Sequence, residues 1–183
     1  MKKKRRQMKK LINNTVHLEL ATNEVSEQEN GDYKIKAVVA HTEVINDNGL
    51  ILDGDVIEFQ RETYPFLFNH TANDLLGEVK TAFDAEQQAY ISEITVYATK
   101  ADIIKAIKNG VYDSVSISYY IDEYVFNEED DAIIVQHAIM NEVSLVSVGA
   151  DSDAKLIANE LRQDKQAKQL AENKLKEIKA KYE

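Results

Sequence analysis

The sequence predicts a mainly β protein: a small antiparallel barrel with an inserted helix and a long C-terminal amphipathic helix. Three observations carry this. About seven short segments alternate apolar and polar residues between turns rich in Asn, Asp and Gly. A single internal segment, 101–108, has apolar residues at helical spacing. From Ala154 onward the chain keeps a narrow apolar stripe among charged residues. Short strands joined by hairpin turns imply an antiparallel sheet, and closing it into a barrel removes the exposed edges.

The strands begin with Thr15–Leu20, which alternates weakly. Asn23–Asp32 is polar and ends in Gly31-Asp32, a loop. Tyr33–Ala40 alternates and then turns apolar, as a strand entering a core does. Asn46-Asp47-Asn48-Gly49 and Asp53-Gly54-Asp55 are turns on either side of Leu50-Ile51-Leu52. Residues 56–64 read as a short helix or an irregular segment before Pro65. Phe66–His70 leads into a polar turn, and 77–83 and 89–97 are strands about a turn at 84–88. Thr99 is a good N-cap for the helix at 101–108, with Ile103, Ile104 and Ile107 on one face and Gly110 as its stop.

The segment that follows is the most regular in the chain. Ser114, Ser116, Ser118 and Tyr120 fall on one face, and Val115, Ile117, Tyr119 and Ile121 on the other. Glu123–Phe126 extends it, and residues 127–131 form an acidic hairpin loop. Ala132–Met140 is a strand, continued or restarted by Glu142–Val148. The chain thus divides into a basic, disordered arm (1–10), a β domain (11–150) and a helical tail (151–183).

Composition narrows the function classes. The 183 residues carry a net charge of −10, but the charge is segregated. Residues 2–10 hold seven positive charges and no negative one, whereas residues 11–150 hold 7 basic and 25 acidic residues, a net of −18. So acidic a body disfavours nucleic acid as a main partner, because phosphate recognition needs a basic face. With no cysteine there is no disulfide, thiolate metal site or thiol nucleophile. No apolar run approaches the ~18 residues of a membrane span. The four histidines show no HxH, HxxxH or HExxH spacing, so no metal site is expected, and no glycine-rich phosphate loop is present.

Serine remains as a candidate nucleophile. It needs a base to take its proton and a third group to hold that base. His70, at the end of an apolar run and beside a polar turn, is placed to face a cleft, although a histidine there is ordinarily structural or merely exposed. The serine face is by itself either a wet surface or the floor of a site. Glu142, flanked by Met140, Val143 and Leu145, must be paired or face solvent.

Three blocks in order resemble the prohead (capsid maturation) proteases of tailed phages, relatives in fold of the herpesvirus assemblins. They are Pro65-Phe66-Leu67-Phe68-Asn69-His70 with Gly77 beyond it, Gly110–Tyr119 with its serines, and Glu142-Val143-Ser144-Leu145-Val146 through Asp151. The resemblance implies an assemblin-type barrel and a serine endopeptidase with no cofactor. In its register Ser116 is the nucleophile, His70 the base and Glu142 the orienting residue. His137 is the alternative third member, because assemblins use a histidine there. Counted along a continuous strand, His137 and Glu142 face opposite ways.

Ser118 stands where the family usually has glycine, and Gly149 where it has proline. The chain has no arginine between Arg61 and Arg162 to support an oxyanion, so the backbone N–H groups of Ser116, Ile117 and Ser118 are the candidates. The implied substrates are the major capsid protein with its scaffolding segment and the chain itself. The implied setting is an assembling procapsid in the host bacterial cytoplasm. The helix at 154–183 is placed to self-associate or bundle with scaffold.

Overall fold

A computed structural model describes residues 6–17, 26–127 and 132–147, and shows one ten-stranded sheet with a single α-helix. The strands are β1 (Arg6–His17), β2 (Ser26–Glu27), β3 (Tyr33–His41), β4 (Leu50–Leu52), β5 (Ile57–Glu58), β6 (Tyr64–Phe68), β7 (Thr71–Asp84), β8 (Ala89–Val96), β9 (Ser114–Asn127) and β10 (Ala132–Val146). The tail at 151–183, Gly149 and most of the acidic loop expected at 127–131 lie outside the described residues.

The hydrogen-bonded order is β1-β9-β10-β6-β7-β8-β3-β2. The path does not return on itself, so the expected closed barrel is an open, curled sheet. The gap near β1 is crossed by a side chain rather than a ladder: Asn48 Nδ2 donates to the Asn13 carbonyl at 2.9 Å.

The sheet is also not purely antiparallel. One side of β10 pairs antiparallel with β9, and the other takes β4, β5 and β6 in turn, all parallel. Parallel pairing needs a crossover rather than a hairpin. Here the partners come from residues 50–68 and the crossing chain is most of the domain. Local alternation cannot reveal such a pairing.

Local readings fare better. The helix α1 covers Ala101–Lys108, buries Ile104 and Ile107, and ends at Gly110 with φ +67°. In that left-handed conformation Gly110 donates its N–H to Ile107 O, and Val111 donates to Ala106 O. The cap differs from the one expected: Thr99 lies in a 3₁₀ turn (Ala98–Lys100), and the N-cap position is Lys100, with no side-chain cap bond. The helix allowed at 56–64 is absent; Ile57–Glu58 forms β5, Tyr64 opens β6, and the rest is irregular. β1 starts at Arg6, so half of the expected basic arm is strand paired to β9.

Val115, Ile117, Tyr119 and Ile121 are fully buried and form the centre of the core with Ile12, Phe66, Val143 and Leu145. The opposite face of β9 is not open surface. Ser114, Ser116 and Ser118 are all at most 1% exposed, and the face first reaches solvent at Tyr120, 38% exposed.

Candidate active site

His70 sits on a turn and not within a strand. Phe68 pairs with Thr71, so β6 and β7 are joined through Asn69-His70 alone. Both are left-handed, with φ of 48° and 58°. Two positive φ values in a two-residue hairpin define a primed turn, whose preferred sequence is Asn-Gly. Asn69 suits its position. His70 stands where glycine is favoured, a strain of about 1–3 kcal/mol that surrounding bonds must hold in place.

Most of those bonds run to β10 and to Ser147 just after it. Asn69 N–H donates to Leu145 O at 2.9 Å. Asn69 Oδ1 accepts from Ser147 N–H at 3.0 Å and from the Ser147 hydroxyl at 3.3 Å. His70 N–H donates to Ser144 Oγ at 3.0 Å. The pairing of β6 with β10 through Phe66↔Val143, Leu67↔Ser144 and Phe68↔Leu145 delivers the turn to this spot.

Glu142 is 4% exposed. A buried carboxylate must be paired and hydrogen-bonded to be tolerated. Both of its oxygens are used: Oε1 lies 2.6 Å from His70 Nδ1, and Oε2 accepts the Ser144 hydroxyl proton at 2.7 Å. The 2.6 Å contact is just below the roughly 2.7–2.9 Å range of charge-assisted N–H···O bonds. With Nδ1 engaged, Nε2 is the ring nitrogen free for proton transfer.

Ser116 lies one strand over. Its Cα partners are Ser144 on β10 and Thr15 on β1, and the next row is Glu142–Ser118–Asn13. Opposed residues of neighbouring strands are about 5 Å apart, so Ser116 adjoins Ser144, the residue that bonds both His70 and Glu142. Its hydroxyl is buried and has no hydrogen-bond partner. The other two serines are engaged: Ser114 donates to Asp113 at 2.9 Å, and Ser118 accepts from Asn141 Nδ2 at 3.2 Å. Hydrogen bonding thus distinguishes three hydroxyls that alternation leaves equivalent. His70 and Glu142 are joined directly, whereas Ser116 is set beside them without a bond to the imidazole.

The remaining expected residues stand apart. His137 Nδ1 faces Asp122 at 3.2 Å and its Nε2 faces Glu58 at 3.1 Å, so both nitrogens belong to another cluster. Register shifts flank His137 and precede Glu142, so counting alternate residues between them does not hold. Ser116, Ile117 and Ser118 each have a pairing partner on both sides. In a central strand N–H groups are committed to the ladder, so these do not form a ready oxyanion hole. Among the described residues no group of three His, Asp or Glu is arranged to hold a metal ion.

Sequence reasoning missed Ser144 and Asn69. Ser144 was within reach, because it lies two residues from Glu142 and strand periodicity puts both on one face. Asn before His, at the end of an apolar run, is a left-handed turn signal.

Beyond Ser118 the same face continues into a cavity of about 620 Å³, lined by Arg61, Tyr64, Tyr120, Ile139, Met140 and Asn141 among others. Arg61 stacks over Tyr64, with 4.5 Å to the ring centroid, and donates to the Asn141 carbonyl at 3.4 Å. A larger concavity of about 1030 Å³ lies over β2, β3, β7 and β8 and contains none of His70, Ser116 and Glu142. The smaller one is not lined by those three either, but its Asn141 precedes Glu142 in β10 and bonds Ser118.

Residues 53–169 match the family model of the caudovirus prohead serine protease. The chain is 39% identical to a probable capsid maturation protease of Lactococcus phage p2, over 95% of this chain and 99% of that one. A probable capsid maturation protease of Lactococcus phage SK1 matches with the same figures. In fold it is similar to the bacteriophage T4 capsid assembly protease, with a TM-score of 0.55 at 12% identity, over 74% of this chain and 96% of that one. The family match spans more than half of the chain, including the turn at His70, the serine strand and β10. The chain belongs to the caudovirus prohead serine protease family.

Proposed function

We propose that this protease acts through Ser116, His70 and Glu142 on the capsid protein with its scaffolding segment, and on itself, inside the assembling procapsid in the host cell. The observation that carries the reading is the His70–Glu142 pair beside Ser116, the one unengaged hydroxyl of the serine face. Ser116 attacks the scissile carbonyl as His70 Nε2 takes its proton. Glu142 holds the Nδ1–H tautomer and stabilises the imidazolium that forms. His70 then gives the proton to the leaving amine, and water repeats the cycle on the acyl-enzyme. Oxyanion donors at the nucleophile strand require a ladder bond of β9 to open, because its N–H groups are paired. The helix expected at 154–183 would serve self-association or contact with scaffold.

Ser116→Ala tests the assignment. Coexpressed with capsid protein, the wild type should yield shortened products and the variant none, since loss of the nucleophile removes most of the rate enhancement. Equal processing would remove Ser116 from the mechanism.

A second reading, a catalytically silent assembly factor on the same fold, is favoured by the sealed Ser116 hydroxyl and its lack of a bond to His70. Covalent capture of Ser116 by a fluorophosphonate separates the two. A silent protein would not be labelled.

A further inference from the structure

We infer that Ser144 is a positioning residue of the protease, fixing the backbone of the base and the carboxylate that orients it with a single hydroxyl. The inference rests on the roles proposed for His70 and Glu142.

A serine hydroxyl has one proton and two acceptor lone pairs. Ser144 gives its proton to Glu142 Oε2 at 2.7 Å and accepts His70 N–H at 3.0 Å. Glu142 Oε1 then meets His70 Nδ1 at 2.6 Å. The result is a closed ring: His70 backbone, Ser144 hydroxyl, Glu142 carboxylate, His70 imidazole. Each half removes one freedom. The N–H bond holds a histidine that is strained at φ 58°, so the side chain leaves the turn in one direction. The bond to Oε2 fixes the carboxylate plane, so Oε1 cannot rotate away from Nδ1.

Ser144 is fully buried, and water cannot replace its hydroxyl without entering the sheet. It is also the Cα partner of Ser116, so the group that holds the base lies in the row of the nucleophile. It has no reacting atom of its own. Its effect passes wholly through His70 and Glu142.

Thr and Val are matched in shape and differ in the hydroxyl, which makes Ser144→Thr and Ser144→Val the decisive pair; Ser144→Ala adds a deletion without bulk. The full-length chain is assayed on capsid protein carrying its scaffolding segment, with His70→Ala as control. The second readout is the downfield proton resonance of the His70 Nδ1–H. The Val and Ala variants should lose about 10–100-fold in kcat with little change in KM, as displacement of a catalytic group does. Their Nδ1–H resonance should shift or broaden, and Thr should restore both. Equal rates and equal resonances for Thr and Val would overturn the inference. Should His70→Ala retain the wild-type rate, the proposed catalytic roles fail, and an unchanged resonance across the Ser144 variants refutes the positioning role separately.

Discussion

Glu142→Gln is a demanding test because the ring through Ser144 leaves glutamine no good solution. Gln matches Glu in size but presents one acceptor oxygen and one donor NH₂ where Glu142 has two acceptors. If the oxygen faces Ser144, the NH₂ faces His70 Nδ1, which must then be unprotonated. The ring proton moves to Nε2, and the imidazole can no longer take a proton from Ser116. If the oxygen faces Nδ1–H, the tautomer is correct. The NH₂ then meets Ser144, and the hydroxyl proton given to Oε2 at 2.7 Å is left buried without an acceptor. An unsatisfied buried donor costs about 1–3 kcal/mol, so the first orientation is preferred.

The wrong tautomer in a serine protease costs on the order of 10⁴ in kcat. That is about 5.5 kcal/mol at roughly 1.4 kcal/mol per decade. The assay is the rate of capsid-protein cleavage, read by gel and intact mass, with a thermal melt to show that the fold is retained. A variant that is folded and within about tenfold of the wild-type rate would refute the reasoning, since a tautomer error cannot cost so little.

Two further predictions concern the frame around the site. In Gly77→Ala the new Cβ would lie 1.8 Å from the Thr95 carbonyl oxygen, a backbone atom. The β7–β8 ladder must move, and urea denaturation should report a loss of about 3 kcal/mol or more. An unchanged midpoint would mean that the two strands do not approach so closely. Tyr90 accepts N–H bonds from Val56 at 2.7 Å and Ile57 at 2.8 Å, and Val56 N–H also reaches Gly54 O at 3.1 Å, so Tyr90→Phe should cost roughly 1–3 kcal/mol, chiefly through the Ile57 donor. Burial pushes the Tyr90 phenol up to about 12, outweighing the N–H bonds that lower it. The folded value exceeds the unfolded one, so its contribution is intact below pH ~10 and is lost as pH rises towards 12. Melting temperatures of the wild type across that window should fall more steeply than those of Tyr90→Phe.

What the sequence disclosed follows the range of the interactions involved. Alternation through 114–121 is local, and the core face it marks is fully buried. Gly110 as a helix stop is local too, because only φ of its own residue is at stake. Closure and strand order are not local. Nothing in Leu50–Leu52 or Phe66–Phe68 announces a parallel partner eighty residues or so away. That blindness also explains the oxyanion expectation: whether the N–H groups of 116–118 are free depends on β9 being central, which its own residues do not encode. His137 and Glu142 separate for a related reason, since the bulges between them break the period on which counting relies. Ser144 was legible by period alone but looked like one more polar residue until its two partners were known.

The placement of β10 has a consequence for timing during synthesis. His70 and Glu142 are 72 residues apart, and Glu142 and Ser144 lie in the last described strand of the sheet. That strand must slide between β9 and β6 before the imidazole has its carboxylate or the strained turn its anchor. A chain still emerging from the ribosome, with everything through the serine strand made, holds a nucleophile and a histidine but no means of aligning them. Contacts of such sequence separation form late and slowly. If His70 and Glu142 have the roles proposed for them, cutting power arrives only with the completed sheet, and a nascent or half-folded copy lacks the pair it needs.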